Sequence, residues 1–132
     1  MGLPKVHRLK RRQDFNLVYQ KGTRFKTSHL TLRVLRRRSQ VSTAQLPGKP
    51  FNPALPTRLG ISISLKVDKR AVVRNRIRRQ LQAIFRQFLP RIVAGWDLIV
   101  VVHPQAAQCD YLQFLQELEQ LLVDAEVLNG YS

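Results

Sequence analysis

Acidic side chains are scarce along most of this chain. From Met1 to Arg91 there are two, Asp14 and Asp68, against all 23 lysines and arginines of the 132-residue sequence. Two-metal hydrolases need clustered carboxylates, so the scarcity speaks against a protein-based metal nuclease. Cysteine is equally scarce. Cys109 stands alone, which excludes an internal disulfide and a cysteine-based zinc site and suits a reducing cytoplasm. His7, His29 and His103 show no ligand spacing, and there is neither a glycine-rich phosphate loop nor a convincing nucleophile–base pair. Long apolar runs are missing as well. The longest, Leu98 to Val102, is far too short to span a bilayer, and the basic N-terminus lacks the apolar segment of a signal peptide. These absences predict a cytoplasmic protein with no membrane segment, no metal ligands and no catalytic residues of its own.

What is present is positive charge on a globular frame. The formal net charge is +15, while the hydrophobic content of 44% is ordinary for a folded domain. The length fits a single domain, 1–132, with one real core. The charge is segregated: from Ile92 to Ser132 there is no lysine or arginine, and six acids appear. Solubility does not call for such segregation, so one part of the molecule is expected to meet a polyanion and the C-terminal part is not.

The segment Lys69–Arg79, KRAVVRNRIRR, carries the densest charge. A helix is predicted from about Lys69 to Leu89, with Asp68 as its cap and Pro90 beyond its end. At 100° per residue Val73, Ile77, Leu81, Ile84 and Phe88 share one face. Asn75, Arg79, Gln82 and Arg86 lie opposite, Arg76 and Arg78 flank, and Arg74 sits near the core boundary. A solvated charged helix would mix in acids four residues away to relieve repulsion, and this one has none. Arginine forks suit phosphate oxygens gripped in pairs, so RNA is the expected partner.

Elsewhere, Asp14–Gln20 reads as a short helix that Gly22 ends in a left-handed conformation. His29–Arg36 alternates as a strand, with Leu30, Leu32 and Val34 on one face and Thr31, Arg33 and Leu35 on the other. Ser39–Thr57 contains four prolines and reads as a long flexible hairpin loop. Arg58–Lys66 alternates again, with Leu59, Ile61, Ile63 and Leu65 toward the core and Gly60, Ser62 and Ser64 away from it. Trp96–Val102 reads as a central strand. Asp110 is expected to cap a last helix from Tyr111 to about Leu128, with Tyr111, Leu115, Leu118, Leu122 and Ala125 as its apolar stripe and Asn129-Gly130 at its end. The polar sheet face with Thr31, Arg33, Ser62 and Ser64 is either solvated or a groove walled by the first helix. Phe15 and Tyr19 either pack on the sheet or offer faces to unpaired bases.

Taken together, LPKVHRLKRRQDFNLVYQKG, LGISISLKV followed by RAVVRNRIRR, and WDLIVVVHP resemble, in order, the signature blocks of the protein subunit of bacterial ribonuclease P. The resemblance implies an α/β (α+β) two-layer sandwich in the order α-β-β-β-α-β-α. Its sheet would have about four strands, mostly antiparallel, with a left-handed βαβ crossover. It implies a monomeric protein that does no chemistry itself: a catalytic RNA with bound Mg2+ removes the 5′ leader of precursor tRNA. Lys69, Arg70, Arg74, Asn75, Arg76, Arg78 and Arg79 would contact that RNA. Phe15, Tyr19, Thr31, Arg33, Ser62 and Lys66 would line a cleft for the single-stranded leader. Three positions depart from the family pattern: Arg33 replaces an aromatic found in some members, Gln82 a common basic residue, and Leu65 the first of a usual lysine pair. A structural RNA-binding protein of ribosomal type, or a stand-alone nuclease, would be the alternatives.

Overall fold

The structure is a computed structural model and describes residues 3–37 and 55–128. Its principal elements are α1 (Arg12–Lys21), β1 (Thr23–Lys26), β2 (Leu30–Arg36), β3 (Arg58–Ser62), α2 (Ala71–Phe88), β4 (Trp96–Val102) and α3 (Tyr111–Asp124). The element order is the expected one. The strands form one sheet in the order β1-β2-β4-β3. β1 pairs with β2 and β2 with β4 antiparallel, while β3 pairs with β4 parallel across the α2 crossover.

β2 and β3 are therefore not a hairpin pair, as the proline-rich connection had suggested; β4 lies between them. The reason is burial on both faces. Leu98, Ile99 and Val100 are all fully buried, which only a central strand can achieve. Most of the proline-rich segment, residues 38–54, lies outside the described residues. Its last residue, Thr57, is buried, donates its hydroxyl to the Val93 carbonyl at 2.6 Å and accepts the Trp96 N–H at 3.1 Å.

Helices α2 and α3 cover one face of the sheet. Ile77, Leu81, Ile84, Phe85 and Phe88 from α2, and Phe114, Leu118, Leu121 and Leu122 from α3, pack on Leu30, Leu32, Leu59, Leu98 and Val100. Each such side chain contributes about 1.5–3 kcal/mol on burial, so this layer anchors the basic helix. On the other face α1 and the buried Leu9 before it pack on the sheet, with Val18 and Phe15 against Ile99, Leu35 and Val101.

Four local expectations need correction. Strand β3 stops at Ser62, because its partner β4 has only Val102 left beyond the Ser62–Val101 pair. The chain then turns, Val67 enters the core and Leu65 is left 64% exposed. Asp68 does not cap α2. It accepts the Arg70 N–H at 2.8 Å, two residues on, and Arg70 stands at the N-cap without a side-chain bond. Gly22 is extended rather than left-handed, at φ −77° and ψ 158°. Glycine is needed there because a Cβ would lie 2.5 Å from the Val18 carbonyl oxygen and 2.8 Å from that of Val34. Asp110 does cap α3, accepting the Gln113 N–H at 2.9 Å, but the helix ends at Asp124. Glu126 turns the chain at φ 60°, and Leu128 bridges to Ile92. The expected Asn129-Gly130 stop lies outside the described residues.

Candidate nucleic-acid interface

The α2 surface follows from its stripe. With Ile77 and its neighbours buried, Asn75, Arg76, Arg79 and Arg86 are exposed, and Arg74 and Arg78 are half-buried at the flanks. The arginines are held in different ways. Arg74 donates to the carbonyls of Asp68 at 3.0 Å and Lys69 at 2.9 Å, which ties the start of the helix to the turn before it. Arg76 donates to the Ala107 carbonyl at 3.0 Å, and Arg78 to Asn75 Oδ1 at 3.0 Å. Arg70 pairs with Asp68 at 3.1 Å, and its guanidinium together with its N–H holds the Asp68 carboxyl down at about 2. Lys69 and Lys66 are exposed at the approach to the helix. With no acid in α2, the whole outer surface presents one sign of charge.

On the opposite face of the sheet, α1 crosses the strands. Its first turn is tied at the β3 edge, where Asp14 Oδ2 meets Arg58 Nη1 at 3.3 Å. Arg58 in turn grips Asp97 of β4 with two hydrogen bonds of 2.8 and 2.7 Å. That bidentate bond, working against the cost of burial, raises the Arg58 pKa, whereas burial lowers that of neighbouring Arg37. The Phe15 ring sits directly over Gly60, where a Cβ would be 2.4 Å from its Cζ. Further along, the Arg33 guanidinium lies 4.9 Å from the Tyr19 ring centroid, and its Nη1 donates to the Tyr19 carbonyl at 3.3 Å.

Phe15 and Tyr19 thus both lie against the α1-covered face of the sheet, and neither is a free platform. Phe15 is half-buried on Gly60, and Arg33 covers one face of Tyr19, which is 37% exposed. Ser62 is half-buried at the end of β3. Thr31 is only 7% exposed, and its hydroxyl lies 2.7 Å from His103 Nε2. It thereby holds His103, one of the three histidines without ligand spacing, in a structural role.

A second buried cluster is structural. Glu117 of α3 accepts from the hydroxyl of Thr27 at 2.6 Å, the N–H of His29 at 2.8 Å and Gln113 Nε2 at 2.6 Å, and His29 Nδ1 lies 2.6 Å away. Burial alone would raise its pKa. The hydrogen bonds from Thr27, Gln113 and His29 overcome that and bring it to about 2. Neither Asp97 nor Glu117 was singled out in the sequence, although an acid inside the apolar strand WDLIVVV is a signal of a buried ion pair.

The carboxylates do not suit a protein-held magnesium ion. Asp14 and Asp68 each face an arginine, and among the described residues no three of His, Cys, Asp and Glu come together. No described helix is long and apolar enough to cross a membrane.

The profile of the ribonuclease P family matches residues 3–126. The chain belongs to the ribonuclease P protein family. It is 57% identical over 130 residues to the ribonuclease P protein component of a Cyanothece species, covering 98% of this chain and 99% of the relative. It is 50% identical over 131 residues to that of Microcystis aeruginosa, covering 99% of this chain and all of the relative. A solved structure of the Staphylococcus aureus RNase P protein superimposes with a TM-score of 0.74 at 28% identity, over 93% of this chain and 98% of that one. Family membership makes the chain a component of a ribonuclease that acts in tRNA processing and sets aside the ribosomal-type alternative.

Proposed function

We propose that this protein binds the catalytic RNA of ribonuclease P through α2 and holds the 5′ leader of precursor tRNA along α1. Lys69, Arg70, Arg74, Asn75, Arg76, Arg78 and Arg79 meet the catalytic RNA. Phe15, Tyr19, Thr31, Arg33, Ser62 and Lys66 build the leader cleft. The RNA does the cutting and holds the Mg2+ ions; the protein neutralises phosphates where the two RNAs converge and fixes the path of the leader. In isolation it is a monomer without nuclease activity.

The observation that carries this reading is the placement of α1. Among the described residues α1 and Leu9 supply the apolar packing on that sheet face, and α1 brings to it two aromatic rings, a stacked guanidinium and exposed cations. Such an arrangement suits an unpaired strand, whose bases stack and whose phosphates need charge.

The test is cleavage of a 5′-extended precursor tRNA at low Mg2+ with catalytic RNA alone, protein alone, and both. Cleavage only in the mixture, leaving a mature 5′ end, is expected. Cleavage by the RNA-free protein, or no stimulation despite tight RNA binding, would overturn the assignment. Phe15→Ala should weaken binding of leader-bearing substrate by roughly 1–3 kcal/mol while leaving mature tRNA almost unaffected. Equal losses for both would remove the leader cleft.

A further inference from the structure

The sheet register places Ser62 of β3, Val101 of β4, Thr31 of β2 and Lys26 of β1 in one row on the face that α1 only partly covers. The adjacent row is Gly60, Ile99, Arg33 and Arg24. Phe15 lies over Gly60 and Tyr19 over Arg33, so this second row emerges only at Arg24. Both rows thus end at β1 in an exposed cation, Arg24 and Lys26. Neither side chain forms a hydrogen bond or ion pair with another described residue.

A depression of about 360 Å³ opens at this edge, lined by Arg24, Lys26, Thr31, His103, Pro104 and Gln105. Its chemistry is one-sided, with two cations and no acid. The histidine is fixed. Its Nδ1 lies 3.2 Å from the Ser28 carbonyl oxygen, which can only accept, so Nδ1 carries the hydrogen. Nε2 then accepts from the Thr31 hydroxyl at 2.7 Å. With both nitrogens engaged inside the protein, the imidazole offers a visitor ring surface rather than a hydrogen bond. A depression lined by His29, Gln113 and Asp110 differs: it has no lysine or arginine in its lining, which disfavours an anion.

We propose that the β1-edge depression is a distal nucleotide subsite, in which Arg24 and Lys26 hold a leader phosphate and the adjoining base lies against His103 and Pro104. This rests on the leader reading above and extends it. The row from Ser62 to Lys26 crosses three interstrand spacings, about 14 Å. A single strand that enters beside Lys66 and Ser62 and follows α1 across the sheet arrives at Arg24 and Lys26. Recognition by phosphate charge and ring surface tolerates any base, as a leader of variable sequence requires.

The test uses holoenzyme assembled with cognate catalytic RNA and precursor tRNAs whose leaders are shortened one nucleotide at a time. The double variant Arg24→Gln, Lys26→Gln sits on an edge strand and removes no side-chain hydrogen bond or ion pair between described residues. It should bind long-leader substrate roughly tenfold more weakly than wild type. Its salt dependence should be shallower by about 0.7 in log–log slope, from the loss of one single-strand phosphate contact. Both differences should vanish below one leader length. A neutral methylphosphonate scanned along the leader should mimic the loss at one position in wild type and add nothing there in the variant. If the variant loses as much affinity for mature tRNA as for long-leader substrate, the cations act only as a general field and the subsite is wrong. Retained leader selectivity loss on Phe15→Ala would then show that the cleft itself stands. If wild-type holoenzyme shows no leader dependence at all, subsite and cleft fall together.

Discussion

The seating of Phe15 on Gly60 gives a prediction whose size follows from the geometry. In Gly60→Ala the new Cβ would lie 2.4 Å from Phe15 Cζ and 2.9 Å from Cε1. Carbon atoms pack at about 3.5–4.0 Å, so the ring must retreat by about 1 Å. It cannot do so freely. Asp14, the preceding residue, is tied to Arg58, and Phe15 packs with Leu9, Val18 and Ile99. Overpacking of this kind costs about 1–3 kcal/mol. Replacing glycine in a strand returns about 0.5–1 kcal/mol of backbone entropy, which leaves a net loss of about 0–2.5 kcal/mol. Urea denaturation of a double-mutant cycle isolates the contact. In a Phe15→Ala background the clash is gone, and Gly60→Ala should be neutral or slightly stabilising, a coupling of about 1–3 kcal/mol. Equal destabilisation in both backgrounds would refute the reasoning. In the Phe15-containing protein the lifted ring should also weaken binding of leader-bearing substrate, with affinity for the catalytic RNA unchanged.

Three further outcomes are expected. Arg79 is exposed and its side chain has no hydrogen bond or ion pair with another described residue, so Arg79→Ala should leave stability unchanged. It should weaken binding to the catalytic RNA and reduce the salt slope by about 0.7–0.9; unchanged affinity at physiological salt would count against α2 as the docking surface. Glu117 has its pKa depressed from 4.5 to about 2, so its contribution is present above pH 4.5 and is lost as pH falls toward 2. That contribution is on the order of 3 kcal/mol, and Glu117→Gln should show a flatter stability profile between pH 4.5 and 2 than wild type. Arg58→Met leaves Asp97, 6% exposed, with only the Arg37 guanidinium at 3.7 Å, and should cost about 3–5 kcal/mol in urea denaturation, whereas an effect below 1 kcal/mol would show that Asp97 finds other partners.

Local periodicity was a good guide wherever one face of an element is dry and the other wet. The α2 stripe, the buried β4 run and the Asp110 cap all follow from spacing along the chain. The reading was incomplete where burial has two sources. Phe85, Phe114 and Leu121 widen the apolar stripes because α2 and α3 pack on each other as well as on the sheet. β1 is too short for a pattern, since TRFK has a single apolar residue. Neighbour relations across the sheet were not legible either: nothing in Arg58–Ser62 announces that it pairs with a strand more than thirty residues on. The polar contacts were hidden for the same reason. Thr31 with His103 and Thr27 with Glu117 join residues far apart in sequence, and only the fold shows that their hydroxyls face inward.

The two acids of the basic region clarify what its charge is for. Both stand at joints. Asp14 fastens α1 to Arg58 at the sheet edge, and Asp68 receives Arg70 while its carbonyl takes Arg74 where β3 passes into α2. The arginines that received acidic partners are thus ones that set geometry. Those on the outer surface of α2, such as Arg79 and Arg86, have no acid anywhere in their helix to offset them. Ionic screening over about 8 Å softens their mutual repulsion but does not abolish it at the four-residue spacing of a helix. A chain that places its few carboxylates where they fix structure, and none where they would relieve that repulsion, leaves the neutralisation of α2 to its partner. Under the proposed function the charge segregation and the position of α1 have one explanation, with RNA completing the electrostatics on one face of the sheet and the stacking on the other.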